Sequence, residues 1–240
     1  SFKPQEVAEE VITVTTPEVN PDLCDGCRKC SDFCKFNAIA SIQNKAVVFP
    51  DVCHPCGGCM LVCPNKAIAE TQRPIGKIMR GVSGDVTITS GMLNMGEESG
   101  VPIIRAMLQD MKANPNDMTL IDCPPGSACI VMESIIDADY CVLVAEPTVF
   151  GVHNLAMVHE LVQIFNKPYG VVLNKCFEGE NPAEAYCLEH QVPVLGRIPF
   201  DQELGHLNSN SEIVSRVNDK YKALFEDVLK QVKEAVSQCQ

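Results

Sequence analysis

The chain contains no tryptophan, and only 5% of its 240 residues are aromatic, so aliphatic side chains must do most of the packing. It is short of positive charge: 19 Lys and Arg stand against 31 Asp and Glu, a formal net charge of −12. A nucleic-acid surface needs a basic stripe to displace counterions, so this balance argues against such a partner. It argues equally against an anionic membrane surface. No apolar run reaches the roughly 18 residues of a membrane span, and no secretory leader heads the sequence, so a cytoplasmic location is expected. The pattern G-x-x-x-x-G-K-[ST] is also missing, and with it the backbone N–H cradle and lysine that hold nucleotide phosphates.

What is present in excess is cysteine. There are 14, and eight of them lie in one window of 40 residues, from Cys24 to Cys63; the rest are scattered singly at Cys123, Cys129, Cys141, Cys176, Cys187 and Cys239. A secreted disulfide scaffold would be short, with its cysteines spread evenly. This chain is 46% hydrophobic, long enough for one large domain or two smaller ones, and continues into regular helix and strand patterns. Metal ligation in a reducing compartment is the better reading.

Within the window the chain repeats itself. Cys24, Cys27, Cys30 and Cys34 recur as Cys53, Cys56, Cys59 and Cys63, each shifted by 29, and Asn37-Ala38-Ile39-Ala40 lies over Lys66-Ala67-Ile68-Ala69. Each half reads C-x₂-C-x₂-C-x₃-C. Three cysteines two residues apart wrap one iron–sulfur cube, and the fourth, a helical turn on, points to the other cluster. Cys24, Cys27, Cys30 and Cys63 are therefore assigned to one [4Fe–4S] cluster, and Cys53, Cys56, Cys59 and Cys34 to a second. Zinc sites draw on two separated pairs rather than two runs of four. On these residues, 21–69 resemble the bacterial two-cluster ferredoxin. One detail departs: Pro64 follows Cys63 as usual, but Lys35 follows Cys34. Proline donates no ligand, so both clusters should form, while the lysine places a cation beside one of them.

Outside the repeat, Val11, Ile12 and Val14 alternate like a strand, and 75–88 reads as two short strands around Gly81-Val82-Ser83-Gly84. A helix is expected from Ser99, with Ile103, Ile104, Met107, Leu108 and Met111 on one core-facing side. From Met118 the rhythm is strand–helix–strand: strands at 118–121, 141–145, 170–173 and 192–195, helices at 128–136, 154–165 and 182–190, and a long helical region at 212–236. Leu155, Val158, Leu161, Val162 and Phe165 point inward. Buried apolar strands alternating with amphipathic helices imply a mostly parallel sheet covered on both faces. Ligands bind such sheets at the carboxyl ends of the strands, where Asp122, Glu146-Pro147, Asn174-Lys175 and Pro199-Phe200 fall.

The series LIDCPPGSAC, VLVAEPTVFGVHNL, GVVLNK and GRIPFD is similar to the C-terminal part of the deviant-Walker ATPases of the MinD/ParA/Mrp group, which includes the nitrogenase iron protein. More narrowly, the chain resembles MinD-superfamily ATPases with an inserted two-cluster ferredoxin domain. The resemblance implies an α/β P-loop NTPase-like sheet plus an α+β ferredoxin. It divides the chain into a connecting segment at 1–19, the ferredoxin domain at 20–72 and the C-terminal ATPase part at 73–240. It places Asp122 near Mg²⁺ through a water and makes Pro124, Pro125 and Gly126 the loop that responds to the γ-phosphate. Asn174 is set against adenine, with Pro199 and Phe200 lining the base pocket. It also implies a dimer, of identical or paralogous chains. The family opens with a strand, a Gly-rich phosphate loop and a helix, none of which is here. A fragment or a late start is expected, a short protein that has lost ATP binding being the alternative; either way this chain alone should not bind ATP, and hydrolysis requires a Walker A segment in a full-length form. A missing central strand would leave an open sheet edge.

Three functions are weighed. The first is nucleotide-gated electron transfer to a redox partner, with Mg-ATP in a full-length form. The second is an iron–sulfur scaffold or carrier serving an apo iron–sulfur protein. The third is a spatial-positioning ATPase, disfavoured because the tail after Tyr221 carries mixed charges beside Leu224, Val228, Val232 and Val236 rather than a basic amphipathic face. All eight thiols are present, which suits permanent clusters. Cys129 lies seven residues after Asp122, the offset of a cluster-bridging cysteine in the nitrogenase iron protein; a buried packing thiol is the ordinary expectation for it.

Overall fold

The computed structural model describes residues 4–239, so 1–3 of the expected connecting segment lie outside it. The chain divides into two compact units, Gln5–Pro115 and Asn116–Gln240.

In the first unit the elements run β1 (Gln5–Val19), α1 (Lys29–Phe33), β2 (Ile39–Ile42), β3 (Lys45–Val48), a 3-10 turn at Pro50–Val52, α2 (Gly58–Val62), β4 (Ile68–Ser83), β5 (Val86–Leu93) and α3 (Val101–Ala113). β1, β4 and β5 form an antiparallel sheet in that order, and β2 and β3 a separate hairpin. The two short strands expected around Gly81 are thus the ends of a much longer pair, because Gly84 at φ 62° turns the chain only after Ser83. β4 is a central strand yet contains Pro74, which cannot donate to a ladder. The register slips there, between Ile12/Gly76 and Thr13/Pro74, as a proline inside a sheet requires. One face of this sheet buries Ile12, Ile75 and Ile78 against Ile103 of α3, with Val14, Ala106 and Met107 around them. The helix lies so close that a Cβ on Gly91 would meet Ile103 at 2.6 Å and Met107 at 2.8 Å. α3 begins at Val101 rather than Ser99, whose hydroxyl instead accepts the Val101 N–H at 3.3 Å.

The second unit contains α4 (Cys129–Ile135), β6 (Cys141–Ala145), α5 (Val149–Ile164), β7 (Tyr169–Cys176), α6 (Pro182–Glu189), β8 (Val194–Pro199), α7 (Gln202–Ser209), α8 (Val214–Val217) and α9 (Asp219–Gln238). Its sheet is parallel, in the order β6-β7-β8. The fold class read from the sequence holds: a parallel α/β layer with helices on both faces, accompanied by the cysteine-bearing α+β unit. Leu143, Val171 and Leu173 pack on one face with Val131, Leu155, Leu161 and Val162; Val172, Leu195 and Ile198 meet Leu224, Phe225, Val228 and Val232 of α9 on the other.

Several boundaries are corrected. α5 starts five residues early because the Thr148 hydroxyl caps it, accepting the Gly151 N–H at 2.9 Å. β8 runs later than 192–195 because it follows the β7 register to Pro199. α7 was missed; Asp201 caps it through the Glu203 and Leu204 N–H groups. The terminal helical region is two helices, divided at Asn218, which caps α9. The largest correction is 118–121, which forms no strand. A parallel strand exists through its ladder, and among the described residues none pairs with it; Leu120 is left 80% exposed.

Candidate functional site

The cysteine repeat folds as a local two-fold arrangement in which the halves exchange strands. The end of β1 pairs with the start of β4, Val19 opposite Ile68, and β3 pairs with β2, Val48 opposite Ile39. Adding 29 to Val19 gives Val48, and subtracting 29 from Ile68 gives Ile39, so the two contacts are one contact made twice. The same relation links two backbone bonds, Asn20 N–H to the Ala67 carbonyl at 2.7 Å and Phe49 N–H to the Ala38 carbonyl at 2.8 Å. The second half thereby brings Cys63, its fourth cysteine, to the first half's loop.

The consequence is a cavity lined by Cys24, Cys27, Cys30 and, from the second run, Cys63. Exposure repeats as well: Cys30 and Cys59 are buried, Cys27 and Cys56 exposed, and the other four half-buried. Electrostatics reveal the same grouping. Burial chiefly raises the Cys30 thiol, with added push from Cys63 and Cys24. Burial raises Cys53, helped by Cys34 and Cys56, and likewise Cys59, helped by Cys53 and Cys56. Crowded thiols become thiolates only beside a compensating cation, as a metal provides. Among the described residues no three His, Cys, Asp or Glu side chains converge to hold one metal ion. The four thiols that line the first cavity are the kind of donor set a [4Fe–4S] cube takes, one iron to each.

Backbone donors support the loops. The Ala46 N–H points to Cys24 Sγ at 3.5 Å and the Ala67 N–H to Cys63 Sγ at 3.2 Å. Lys45 Nζ donates to the Pro21 and Cys24 carbonyls at 2.7 and 2.6 Å. Asp25 accepts the Cys27 N–H at 3.0 Å, the main cause of a carboxyl held below its usual range. Arg28 and Gly57, equivalent by the repeat, are both left-handed at φ 66° and 72°; only glycine takes that conformation without strain. Sequence reading overlooked Lys45 and Arg28 because neither has a motif.

The strand-end residues of the second unit are placed differently from one another. Asp122 is exposed in irregular chain instead of ending a strand, and Pro124, Pro125 and Gly126, the last at φ 94°, continue that loop. Asn174 lies within β7 near its end, its side-chain oxygen accepting the Lys175 N–H at 3.0 Å. Lys175 reaches Glu146, beyond β6, at 2.6 Å. Pro199 closes β8, and the Phe200 N–H bonds the Cys176 carbonyl at 2.8 Å. Phe200 stacks on Phe177, centroids 4.8 Å apart, and both rings are exposed. Phe177 was missed, since an aromatic after a strand is no signal by itself. Cys129, expected to be buried, is exposed at the start of α4.

A family model described as "4Fe-4S binding domain" matches residues 16–39. The chain is 32% identical over 227 residues to "Uncharacterized protein MJ0578" of Methanocaldococcus jannaschii, covering 95% of this chain and 78% of that one. It is 29% identical over 104 residues to "Uncharacterized protein MJ0579" of the same organism, which takes in 43% of this chain and 39% of the other. Among solved structures, the Pyrococcus furiosus cell division ATPase MinD superposes with a TM-score of 0.53 at 19% identity, over 62% of this chain and 66% of that one. The chain thus spans slightly less than two thirds of that MinD. The fold is MinD-like, joined to a 4Fe–4S binding segment.

Proposed function

We propose that this chain, which belongs to the same family as the uncharacterized protein MJ0578 of Methanocaldococcus jannaschii, moves single electrons through two [4Fe–4S] clusters under nucleotide control. The observation that carries the reading is the cavity that joins Cys63 to Cys24, Cys27 and Cys30. When bound, a [4Fe–4S] cluster supplies a one-electron couple. Cys24, Cys27, Cys30 and Cys63 hold one cluster; Cys53, Cys56, Cys59 and Cys34 hold the other. Cys30 and Cys59 sit in an apolar cluster with Ile39 and Ile68, which shields the thiolates from water. Because each set draws on both halves, release of either cluster requires the exchanged strands to part. That favours resident electron carriers over a scaffold, which gives its cargo up.

In this reading residues 20–72 are the ferredoxin domain and 73–240 the ATPase part. Asp122 serves Mg²⁺, Pro124, Pro125 and Gly126 sense the γ-phosphate, and Asn174, Pro199 and Phe200 meet the base, the exposed Phe177–Phe200 stack supplying an aromatic surface there. The residues present fit the base end of a nucleotide but not its phosphates, for which the sequence holds no cradle. The chain alone is therefore not an ATP binder, and it works as a homodimer or paralogous heterodimer, in the cytoplasm. Among the described residues no helix is long and apolar enough to cross a membrane, and α9 spends its apolar side on the sheet, which disfavours a membrane-positioning role.

Anaerobically purified protein should contain about eight irons by ligand count, with four-iron signals in low-temperature EPR; zinc, or a single cluster, would sink the proposal. Calorimetry with Mg-ATP should detect no tight binding. Reduced holo-protein mixed with an apo-ferredoxin should keep its iron, and rapid transfer would favour the scaffold instead.

A further inference from the structure

Arg73 in β4 is held from one side and left open on the other. Both terminal guanidinium nitrogens donate to the Glu97 carboxylate, Nη2 to Oε2 at 2.9 Å and Nη1 to Oε1. The pair is largely enclosed, Arg73 being 22% and Glu97 13% exposed. The third donor, Nε, is buried with no hydrogen-bond partner, and Arg73 is the only described residue with such an atom. A buried donor left without an acceptor is costly, so an acceptor is wanting at this point.

The neighbourhood indicates what the acceptor is. The turn bearing Glu97 is tied to β4 by Asn94, whose N–H bonds the Ile75 carbonyl at 2.9 Å and whose side chain bonds the Pro74 carbonyl at 3.3 Å. Glu98, next in that turn, reaches His54 at 3.4 Å, and His54 adjoins Cys53. The Arg73–Glu97 pair is thereby anchored against the Cys53 loop. The electrostatics are consistent: Glu97 chiefly holds the Arg73 guanidinium up, with smaller help from Asp51 and Cys53, while burial and the neighbouring thiols raise Cys53 and Arg73 draws it partly back. At the position 29 residues earlier the first half has neutral Asn44. Arg28 lines the first cavity, but its side chain is 66% exposed and faces Asp32 at 3.8 Å.

We propose that Arg73 is a positioning residue for the second cluster, its Nε–H reserved for a sulfur of that cluster or of Cys53, with Glu97 clamping the guanidinium in place. The inference rests on the two-cluster reading. A cation and an N–H···S bond both favour the more negative, reduced cluster, so Arg73 raises its potential. Glu97 offsets part of that charge.

The test is an EPR-monitored redox titration of holo-protein with iron content measured in parallel. Arg73→Gln should lower one midpoint and leave the other where it was, with iron unchanged. Arg73→Lys, which keeps the charge, should recover part of the shift. Glu97→Gln preserves the shape of the pair and removes its negative charge, so the same midpoint should rise. Opposite signs at one cluster are not what a merely structural ion pair would produce. Midpoints that stay put, or move together, with full iron present would overturn the role of Arg73 alone. Wild-type protein without two clusters would overturn the two-cluster reading and this inference with it.

Discussion

The cysteine repeat and the strand-end rim of the second unit differ in how their residues are gathered. The eight repeat cysteines lie within 40 residues of sequence, and one exchange of strands is enough to bring Cys63 to Cys24, Cys27 and Cys30. The rim collects Glu146, Asn174, Phe177 and Phe200 from the ends of three different strands. Its remaining member, Asp122, follows a segment that has no ladder partner among the described residues. A site built from a local repeat is complete when the repeat is complete. A site built on a sheet is only as complete as the sheet.

The strongest way to break this comparison is to attack the strand exchange. Cys63→Ala should abolish the same EPR signal as Cys24→Ala and remove about half the iron; Cys34→Ala should abolish the other. If Cys63→Ala and Cys53→Ala instead silence one common signal, the halves do not exchange ligands. Next comes the core of the second unit. Leu173 is wholly buried, and Leu173→Ala should cost about 2–5 kcal/mol in urea denaturation while iron content is kept. Leu120→Ala belongs with it as the control for the unformed strand, and should change stability by no more than about 0.5 kcal/mol.

A smaller effect concerns His159, buried in the same unit. Its ring nitrogens meet the Tyr186 and Tyr169 hydroxyls at 3.0 and 2.8 Å, and the His190 ring lies 6.3 Å away. Burial first, and His190 second, hold its pKa below the ordinary 6.5. As pH falls the unfolded chain takes up this proton before the folded one. The stability His159 contributes is therefore intact above about 6.5 and lost as pH drops below it. Urea midpoints at successive pH values should show that decline, and His159→Gln should flatten it; an unchanged slope in the variant would place the pH sensitivity elsewhere.

Much of the molecule was legible because it obeys local rules. The 29-residue shift identifies which cysteines are equivalent. The apolar stretches at Cys141–Ala145 and 170–173 are strands as read, and 182–190 is a helix as read, to within a residue of α6. The misreadings share a cause. Residues 118–121 have the apolar character of a strand, but a strand is made by its neighbours. α7 was invisible because the signal for it is the Asp201 cap, and an aspartate after Pro199-Phe200 reads as readily as a loop. Cys129 was expected inside because cysteines commonly are, yet the first turn of α4 leaves it exposed.

The sequence by itself determined the number of thiols, their spacing and their internal symmetry, because these are set by covalent order and reach only a few residues. It also determined the alternation of apolar strands and helices that makes the second unit a parallel α/β layer. Only the tertiary structure decided that Phe177 stacks on Phe200, and that Arg73, twenty residues after Cys53, is clamped by Glu97 with one donor unmet. Those pairings come from strand register and enclosure, which bring together residues that no local pattern relates.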